Sequence, residues 1–287
     1  MILGVAAALA VDIVRIGGPA AWLAERGFVP GPGAAPYPYE ALGRQVDVGG
    51  GRSVYLDCRG SGSTTVILEA GAGGGADGWG PFFDRVAGIT RACAWDRPGL
   101  GRSAPRGLHT GGETAADLVA ALRAAGEHGP YVVIAHSLGG MYARLFAAAE
   151  PQVKSLLLLD AYVPDLGMEA DPALSPAFRA VIRTSLADGA AAFQQVEQLD
   201  SAGTMAELVR PVPVPGIVLY VDPRLRYTDP DPAVAGAEVD AWYRAMAAMY
   251  PKSPIEIVPN TSHFIQFDQP DLVLDRLRTL LAEVRPT

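Results

Sequence analysis

Runs of consecutive apolar residues alternate along this chain with segments whose apolar residues recur at helical spacing. An uninterrupted apolar run predicts a strand that is buried on both faces, and helices between such strands predict a parallel sheet covered on both sides. Six predominantly apolar runs are candidates, at residues 65–69, 91–95, 131–134, 153–159, 216–221 and 255–258. Two shorter candidates, residues 44–48 and 53–57, flank three glycines and predict a hairpin ahead of the first run. The pattern therefore predicts an α/β domain with a mostly parallel eight-stranded sheet and helices on both faces.

Several segments between these runs have the features of helices. Thr110 to Glu113 has the pattern of a capping box, so we expect a helix to begin near Thr114. Further helices are expected at residues 234–250 and from about residues 268–270 onward. Residues from about 162 to 210 contain no strand run, and their apolar positions recur at helical spacing. A helical excursion between two strands is the usual form of a lid over an active site, and we expect a lid here.

The N-terminal residues are set apart from the rest of the chain by their composition. Residues 1–11 are all apolar or glycine, and residues 30–39 form a linker rich in proline and glycine. About 20 apolar residues are needed to span a bilayer, and the segment lacks the basic start of a secretory signal. We expect an N-terminal segment and linker at 1–40, followed by one domain at 41–287 with the lid inserted at about 162–210. The segment leaves two locations open: cytoplasmic, or exported and membrane-associated if it is a shortened anchor.

Composition and charge narrow the range of partners. The chain has 287 residues, of which 49% are hydrophobic, so it can bury a large core. Its 23 basic residues against 31 acidic ones give a net charge of -8. The chain therefore lacks the excess of basic residues that is typical of nucleic-acid-binding proteins. The only two cysteines are not in a Cys-x-x-Cys pattern, so we expect no metal. The expected partner is a small molecule, and the oligomeric state is left open.

A short motif after the run at 131–134 indicates a nucleophile. Small residues at Ala135 and Gly139 flank Ser137, as a sharp strand-to-helix turn requires. Such a turn raises the serine hydroxyl above the end of the sheet, next to a helix N-terminus that favours negative charge. We interpret the motif as a nucleophile elbow, with alanine in place of the usual first glycine. The N–H of Leu138 is then a candidate oxyanion donor.

A nucleophilic serine needs a base, and the chain has four histidines. His136 is adjacent to Ser137 and is expected to point away from it, while His109 and His128 lie in a loop and a turn ahead of other elements. His263 lies in a loop just after the last predicted strand. Because the carboxyl ends of parallel strands share one edge of the sheet, His263 can reach the serine there. We therefore expect His263 to be the base.

Two aspartates compete for the position of the acid that orients the histidine. Asp160 directly follows the run at 153–159, and Asp222 directly follows the run at 216–221. Both are expected at the same edge of the sheet as His263, so their positions alone leave the choice open.

Three motifs, in this order, resemble the α/β-hydrolase superfamily. They are Trp95-Asp96-Arg97-Pro98-Gly99-Leu100-Gly101-Arg102-Ser103, the elbow His136-Ser137-Leu138-Gly139-Gly140, and Ser262-His263-Phe264. The resemblance covers about residues 44–287. It is strongest to esterase, aminopeptidase and lipase-like members that begin with Leu-Glu-Ala-Gly, as residues 68–71 do, rather than with a His-Gly loop. It implies the α/β-hydrolase fold with a helical lid and hydrolysis without a cofactor.

The resemblance also implies roles for individual residues. Most members carry the acid after the seventh strand as Gly-x-x-Asp, but here Asp222 falls about two positions early and Arg224 stands where the acid would be. A minority carry it after the sixth strand, which matches Asp160, and we favour Asp160. Gly71-Ala72 holds the place of the loop that supplies the second oxyanion donor, which nominates the Ala72 N–H.

The same glycine-rich run imitates a dinucleotide-binding fingerprint. Gly71, Gly73 and Ala76 follow a strand, and Asp96 ends the next one. A hairpin precedes the strand, however, and Asp96 belongs to the Asp-Arg-Pro-Gly motif. A dinucleotide site would also leave the elbow and His263 unexplained, so we expect no nucleotide cofactor.

The resemblance also implies where the two cysteines lie in the fold. Since the second and fourth strands are neighbours in this superfamily, it implies that Cys58 and Cys93 can lie side by side. They would form a disulfide bond in an exported protein or remain two buried thiols otherwise.

These observations predict a serine hydrolase that cleaves carboxylic esters through an acyl-enzyme. The serine at position 137 excludes the covalent aspartyl route of epoxide hydrolases and dehalogenases. Several alternatives use the same residues: a thioesterase, a C–C hydrolase, an acyltransferase, or a proline aminopeptidase in which Glu169, Asp171 or Glu197 binds the substrate amine. A non-catalytic ligand-binding protein of the same fold is the alternative from another class.

Overall fold

The structure is a computed structural model, and it describes residues 39–162, 174, 176–208, 211–223 and 232–284. The N-terminal apolar segment, nearly all of the linker, and the candidate residues Glu169, Asp171 and Arg224 lie outside the described residues. The proposed division into segment, domain and lid remains a prediction.

Within the described residues, eight strands form one sheet in the order β1-β2-β4-β3-β5-β6-β7-β8. The first two pairings, β1 with β2 and β2 with β4, are antiparallel, and the others are parallel. This confirms the mostly parallel eight-stranded sheet. The strands are β1 (Arg44–Gly49), β2 (Arg52–Arg59), β3 (Thr65–Glu69), β4 (Arg91–Trp95), β5 (Tyr131–His136), β6 (Val153–Leu159), β7 (Gly216–Val221) and β8 (Ile255–Val258).

Helices connect the strands and follow the last one. The described helices are a short 3-10 helix (Ala76–Trp79), α1 (Gly80–Ala87), α2 (Gly111–Ala125), α3 (Gly139–Ala149), α4 (Pro176–Glu197), α5 (Ser201–Glu207), α6 (Pro232–Met249), α7 (Ile265–Asp268) and α8 (Pro270–Glu283). Helix α2 begins three residues before the expected Thr114, because Thr110 is its N-cap and the helix starts at the next residue. The Thr110 hydroxyl accepts the Glu113 N–H, and the Glu113 carboxylate accepts the Thr110 N–H, as in a capping box. Among the described residues, no helix is both long and apolar enough to cross a bilayer.

Apolar side chains fill both faces of the sheet. Along β5, Val133 belongs to a core that includes Leu118 of α2, Phe146 of α3 and Trp242 of α6. Its neighbour Val132 belongs to a second core on the opposite face; this core includes Phe83 of α1 and Leu277 of α8. Because consecutive residues of a strand point to opposite faces, a strand covered by helices on both sides is apolar along most of its length. This is why the uninterrupted runs predicted the strands well.

The two cysteines lie opposite each other in the sheet. The antiparallel register of β2 and β4 pairs Cys58 with Cys93, and the two form a disulfide bond. Of the two alternatives left open by the sequence, the structure contains the disulfide.

Candidate active site

Ser137 occupies a sharp turn between β5 and α3. Its φ angle is +52°, which is unfavourable for a residue with a side chain and persists only where the surroundings impose it. The Ser137 N–H donates to the Leu159 carbonyl at 3.1 Å, and the Ser137 carbonyl accepts the Tyr162 N–H at 2.7 Å. Strand β6 and the residues after it therefore hold the serine in its strained conformation.

The glycines of the elbow are required by the close approach of neighbouring backbone. A Cβ atom on Gly139 would lie 2.2 Å from the Glu69 carbonyl oxygen, and one on Gly140 would lie 2.5 Å from Ala161 Cβ. Real Cβ atoms do not approach other heavy atoms this closely. The start of α3 can pack against the ends of β3 and β6 only because both positions lack a side chain.

His263 and Asp160 are in direct contact. His263 Nδ1 donates to Asp160 Oδ2 at 2.5 Å, and the Asp160 side chain is fully buried. Asp160 also accepts the Val221 N–H at Oδ1, at 3.3 Å. The single Nδ1–H of His263 is thus bound by the aspartate that follows β6, rather than by Asp222 at the end of β7.

The other ring nitrogen of His263 has no such partner. His263 Nε2 is buried, and among the described residues no group forms a hydrogen bond with it. A neutral imidazole whose Nδ1 carries the proton has its lone pair on Nε2. This arrangement leaves Nε2 as the ring atom that is open to a proton from a reacting group.

The residues between β3 and the 3-10 helix, 70–75, form a segment that we call the glycine loop. It lies against the elbow: a Cβ on Gly71 would lie 3.2 Å from Ser137 Cβ. In the part of the chain that the structure describes, neither the Ala72 N–H nor the Leu138 N–H has an acceptor. These are the two donors expected for the oxyanion.

A buried arginine holds the glycine loop. Arg97 donates to the carbonyl oxygens of Ala70 at 2.7 Å and Gly71 at 2.6 Å. It also donates to Glu69 at 2.8 Å, and twice to Glu197, at 3.0 and 2.7 Å. All five guanidinium N–H donors are used, which fixes the planar group in one orientation.

Glu197 has the contacts that are least predictable from the sequence. It ends α4, and besides Arg97 it accepts the Gly73 N–H at 2.8 Å and the Tyr142 hydroxyl at 2.7 Å. The structure thus engages this carboxylate within the protein, and the expectation that it could bind a substrate amine is wrong. Nothing in the sequence signalled the pairing, since 100 residues separate Arg97 and Glu197. The pairing of Glu69 with Arg97 is easier to predict, because Glu69 ends β3 and Arg97 follows the neighbouring parallel strand β4 by two residues.

Burial governs the titration of this region. It raises the pKa of Glu69 despite the opposing effect of Arg97, and it raises the pKa of Tyr142 well above its usual range. It lowers the pKa of His136 to about 3, with the neighbouring His263 acting in the same direction. His136 is therefore neutral at physiological pH.

Asp96, the acidic residue of the dinucleotide-like pattern, has a structural role. Its buried carboxylate accepts the Ala76 N–H at 2.7 Å and the Arg102 N–H at 2.8 Å. A Cβ on Gly75 or Gly101 would lie 2.3 Å from one of its oxygens. Asp96 thus joins two turns and is enclosed by them.

Comparison with known proteins settles the family. A model of the alpha/beta hydrolase family matches residues 66–276, which is most of the chain. The chain belongs to this family. The resemblance noted in its motifs is confirmed, and so is the α/β-hydrolase fold.

Relatives found by sequence match only part of this chain. "Putative carbamate hydrolase RutD" from Azorhizobium caulinodans is 32% identical over 156 residues, covering 53% of this chain and 55% of that protein. An uncharacterized protein from Bacillus subtilis is 30% identical over 111 residues, covering 38% of this chain and 43% of that protein. The chain matches about half the length of these relatives.

Solved structures share the fold at lower identity. The esterase RhEst1 from Rhodococcus sp. ECU1013 superposes with a TM-score of 0.59 at 20% identity, covering 85% of this chain and 99% of that one. The carboxylesterase CesB from Bacillus subtilis gives 0.58 at 18% identity, covering 87% and 94%.

Proposed function

We propose that this alpha/beta hydrolase cleaves carboxylic esters through an acyl-enzyme on Ser137. The observation that carries the proposal is the contact of His263 Nδ1 with Asp160, which leaves the buried Nε2 without a partner in the described chain. A histidine held in this way, at the same edge of the sheet as a strained serine, fits the role of base to that nucleophile. The Ala72 and Leu138 N–H groups are the proposed oxyanion donors.

The first half of the reaction transfers the acyl group to the enzyme. His263 Nε2 takes the proton of the Ser137 hydroxyl while Oγ attacks the ester carbonyl carbon. The carbonyl oxygen becomes an oxyanion, which the Ala72 and Leu138 N–H groups stabilise. When the intermediate collapses, the imidazolium gives its proton to the departing alkoxide, and the alcohol leaves.

The second half returns the enzyme to its starting state. Water loses a proton to His263 Nε2 and attacks the acyl carbonyl of the acyl-enzyme. The bond to Ser137 Oγ then breaks, the serine regains its proton, and the carboxylic acid is released. Throughout, Asp160 holds the ring in the tautomer with the proton on Nδ1 and stabilises the imidazolium. Helices α4 and α5, inserted between β6 and β7, are the proposed lid.

The proposal is tested by removing the nucleophile. Ser137→Ala should reduce kcat for a short-chain nitrophenyl ester by about 10⁴-fold or more and abolish labelling by a fluorophosphonate probe. Ser155→Ala is the matched control, since Ser155 lies near the opposite end of β6 and donates to the Pro215 carbonyl. Full activity in Ser137→Ala, or a wild-type protein that neither hydrolyses esters nor reacts with the probe, would refute the proposal. The second result would favour the ligand-binding alternative.

A carbamate is the second candidate substrate, and the 32% identity to the RutD of Azorhizobium caulinodans favours it. Carbamates and esters are attacked at the same kind of carbonyl carbon, so the same residues would serve. The two are separated by measuring kcat/KM for a nitrophenyl ester and a nitrophenyl carbamate of equal size. A proline amide in the same panel tests the aminopeptidase alternative.

A further inference from the structure

The glycine loop is held by groups from two separate parts of the chain. Arg97, just after β4, binds carbonyl oxygens of the loop, and Glu197, at the end of α4, binds its Gly73 N–H. Both side chains are about 2% exposed, so water does not compete for these contacts.

These contacts determine where the Ala72 N–H points. The Gly71 carbonyl and the Ala72 N–H belong to one planar trans peptide and so point in opposite directions. By binding the Gly71 oxygen, Arg97 directs the Ala72 N–H away from itself. By accepting the Gly73 N–H, Glu197 fixes the next peptide plane. Both peptides that flank Ala72 are therefore held.

The loop needs such restraint because of its composition. Gly73 has a φ angle of +67°, and residues 73–75 are all glycine, so the backbone has access to many other conformations. Within the loop, the Gly71 carbonyl also accepts the Gly74 N–H at 3.1 Å, and the contacts from Arg97 and Glu197 add restraint from outside it.

Arg97 in turn depends on Glu197 for its own orientation. The Glu197 carboxylate receives two of the five Arg97 donors in a bidentate arrangement, and the Tyr142 hydroxyl donates to the same carboxylate. The guanidinium lies 4.7 Å from the centre of the Tyr142 ring. Without Glu197, the guanidinium would keep Glu69 and the two loop carbonyls as acceptors, but its Nε–H and one terminal N–H would lose theirs.

We propose that Glu197 is a positioning residue for the hydrolysis: through Arg97 and the Gly73 N–H, the last residue of α4 keeps the Ala72 N–H directed at the oxyanion. This inference rests on the proposed function. It makes the oxyanion site depend on the docking of an inserted helix, because the carboxylate reaches the loop only when the end of α4 is in place.

The test compares two carboxylates, one on α4 and one on α5, through which the helices inserted between β6 and β7 contact other parts of the chain. Glu197→Ala removes the contacts to Arg97 and the loop, and Arg97 keeps Glu69 as its counter-charge. Glu207→Ala is the matched control: Glu207 ends α5 and accepts the Thr110 hydroxyl and the Gly112 N–H, at a site that does not include the glycine loop. Melting curves verify that each variant is folded.

We expect Glu197→Ala to lower kcat for a nitrophenyl acetate by roughly 10- to 100-fold, with KM changed less than about threefold, because an oxyanion donor acts mainly in the transition state. The inhibition constant of a trifluoromethyl ketone, which forms a tetrahedral adduct with the serine, should rise in proportion to the loss in kcat/KM. Glu207→Ala should keep kcat within about twofold. Glu197→Gln should fall between Glu197→Ala and the wild type, since its amide oxygen can still accept the Gly73 N–H.

Two results would overturn the inference. Equal losses in Glu197→Ala and Glu207→Ala would mean that Glu197 serves only to dock the insertion, and unchanged kinetics in Glu197→Ala would mean that the loop does not need it. If Glu197→Ala fails to fold, Glu197→Gln decides by the same kcat and KM criteria. Failure of the proposed function is a separate result, since the wild type itself would then neither hydrolyse the ester nor react with a fluorophosphonate.

Discussion

His136 supports His263 through the backbone: its Nε2 donates to the His263 carbonyl at 2.9 Å, and the two ring centroids are 4.5 Å apart. The ring also approaches the glycine loop, because a Cβ on Gly71 would lie 3.1 Å from His136 Nδ1. From its place next to Ser137 in the sequence, this histidine is expected to point away from the nucleophile, with no role in the reaction. The structure places it between the loop, the elbow and the proposed base.

The first prediction concerns this support. His136→Leu removes the donor to the His263 carbonyl, so the loop that carries the imidazole is held less firmly, and we expect kcat for a nitrophenyl ester to fall about 10-fold. His136→Gln keeps an N–H donor and should retain most of the activity. Equal activity in the Leu and Gln variants would contradict a role for the hydrogen bond.

The second prediction concerns pH. Burial lowers the pKa of His136 from 6.5 to about 3, so between these values the unfolded chain binds a proton that the folded protein does not. Stability must therefore decrease as the pH falls from 6.5, by about 2–3 kcal/mol at pH 4.5 from this group. Burial raises the pKa of Glu69 and Asp96, and these groups act with the opposite sign.

Variants isolate the contribution of His136. Urea unfolding at pH 7 and pH 4.5 should give a smaller acid-induced loss of stability in His136→Gln than in the wild type. His128→Gln is the control, because His128 is exposed to solvent and should leave the difference between the two pH values unchanged. Identical pH dependence in the wild type and His136→Gln would contradict the assignment of a buried neutral histidine.

The third prediction separates the two candidate acids. Asp160→Asn should lower kcat by about 10³- to 10⁴-fold, because the amide favours the wrong imidazole tautomer, and Asp222→Asn should change kcat only a few-fold. Steady-state kinetics on one ester are sufficient to compare the two. A large loss in Asp222→Asn with a mild one in Asp160→Asn would reverse the assignment.

The fourth prediction concerns the disulfide. Cys58 and Cys93 are 35 residues apart, and a crosslink closing a loop of this size stabilises a protein by about 3–4 kcal/mol in the chain-entropy model. The Cys58→Ala, Cys93→Ala double variant should therefore melt at a lower temperature. The crosslink itself is checked by mass spectrometry on protein isolated without reductant from an oxidising compartment. The sample is denatured before alkylation, because Cys93 is fully buried in the fold. Two alkylated cysteines would exclude the bond.

The sequence predicted strands more closely than turns and helix ends. The runs 65–69, 91–95, 153–159, 216–221 and 255–258 match β3, β4, β6, β7 and β8 residue for residue, because burial on both faces favours apolar residues along most of a strand. Strand β5 extends two residues beyond its run and includes Ala135 and His136. The start of α2 was placed too late because the capping box marks the residue before the helix, not its first turn.

Local motifs also nominated Ser137, Asp160 and His263, which the fold brings to one edge of the sheet. Each follows a strand directly or within a few residues, so strand order was enough to group them. The grouping of Glu197 with Arg97 depends on how an inserted helix packs, and no local pattern encodes that. His136 was missed for a related reason, since its partner is a backbone carbonyl that has no sequence signal.

The pairing of Glu197 with Arg97 has a consequence for protein engineering. Helices inserted between β6 and β7 are an obvious part to exchange when a new substrate range is wanted. A chimera that receives a foreign insertion here would lose the carboxylate that accepts two Arg97 donors and the Gly73 N–H. Such a graft should carry an acidic residue at the position of Glu197, or its host should carry a matching change at Arg97.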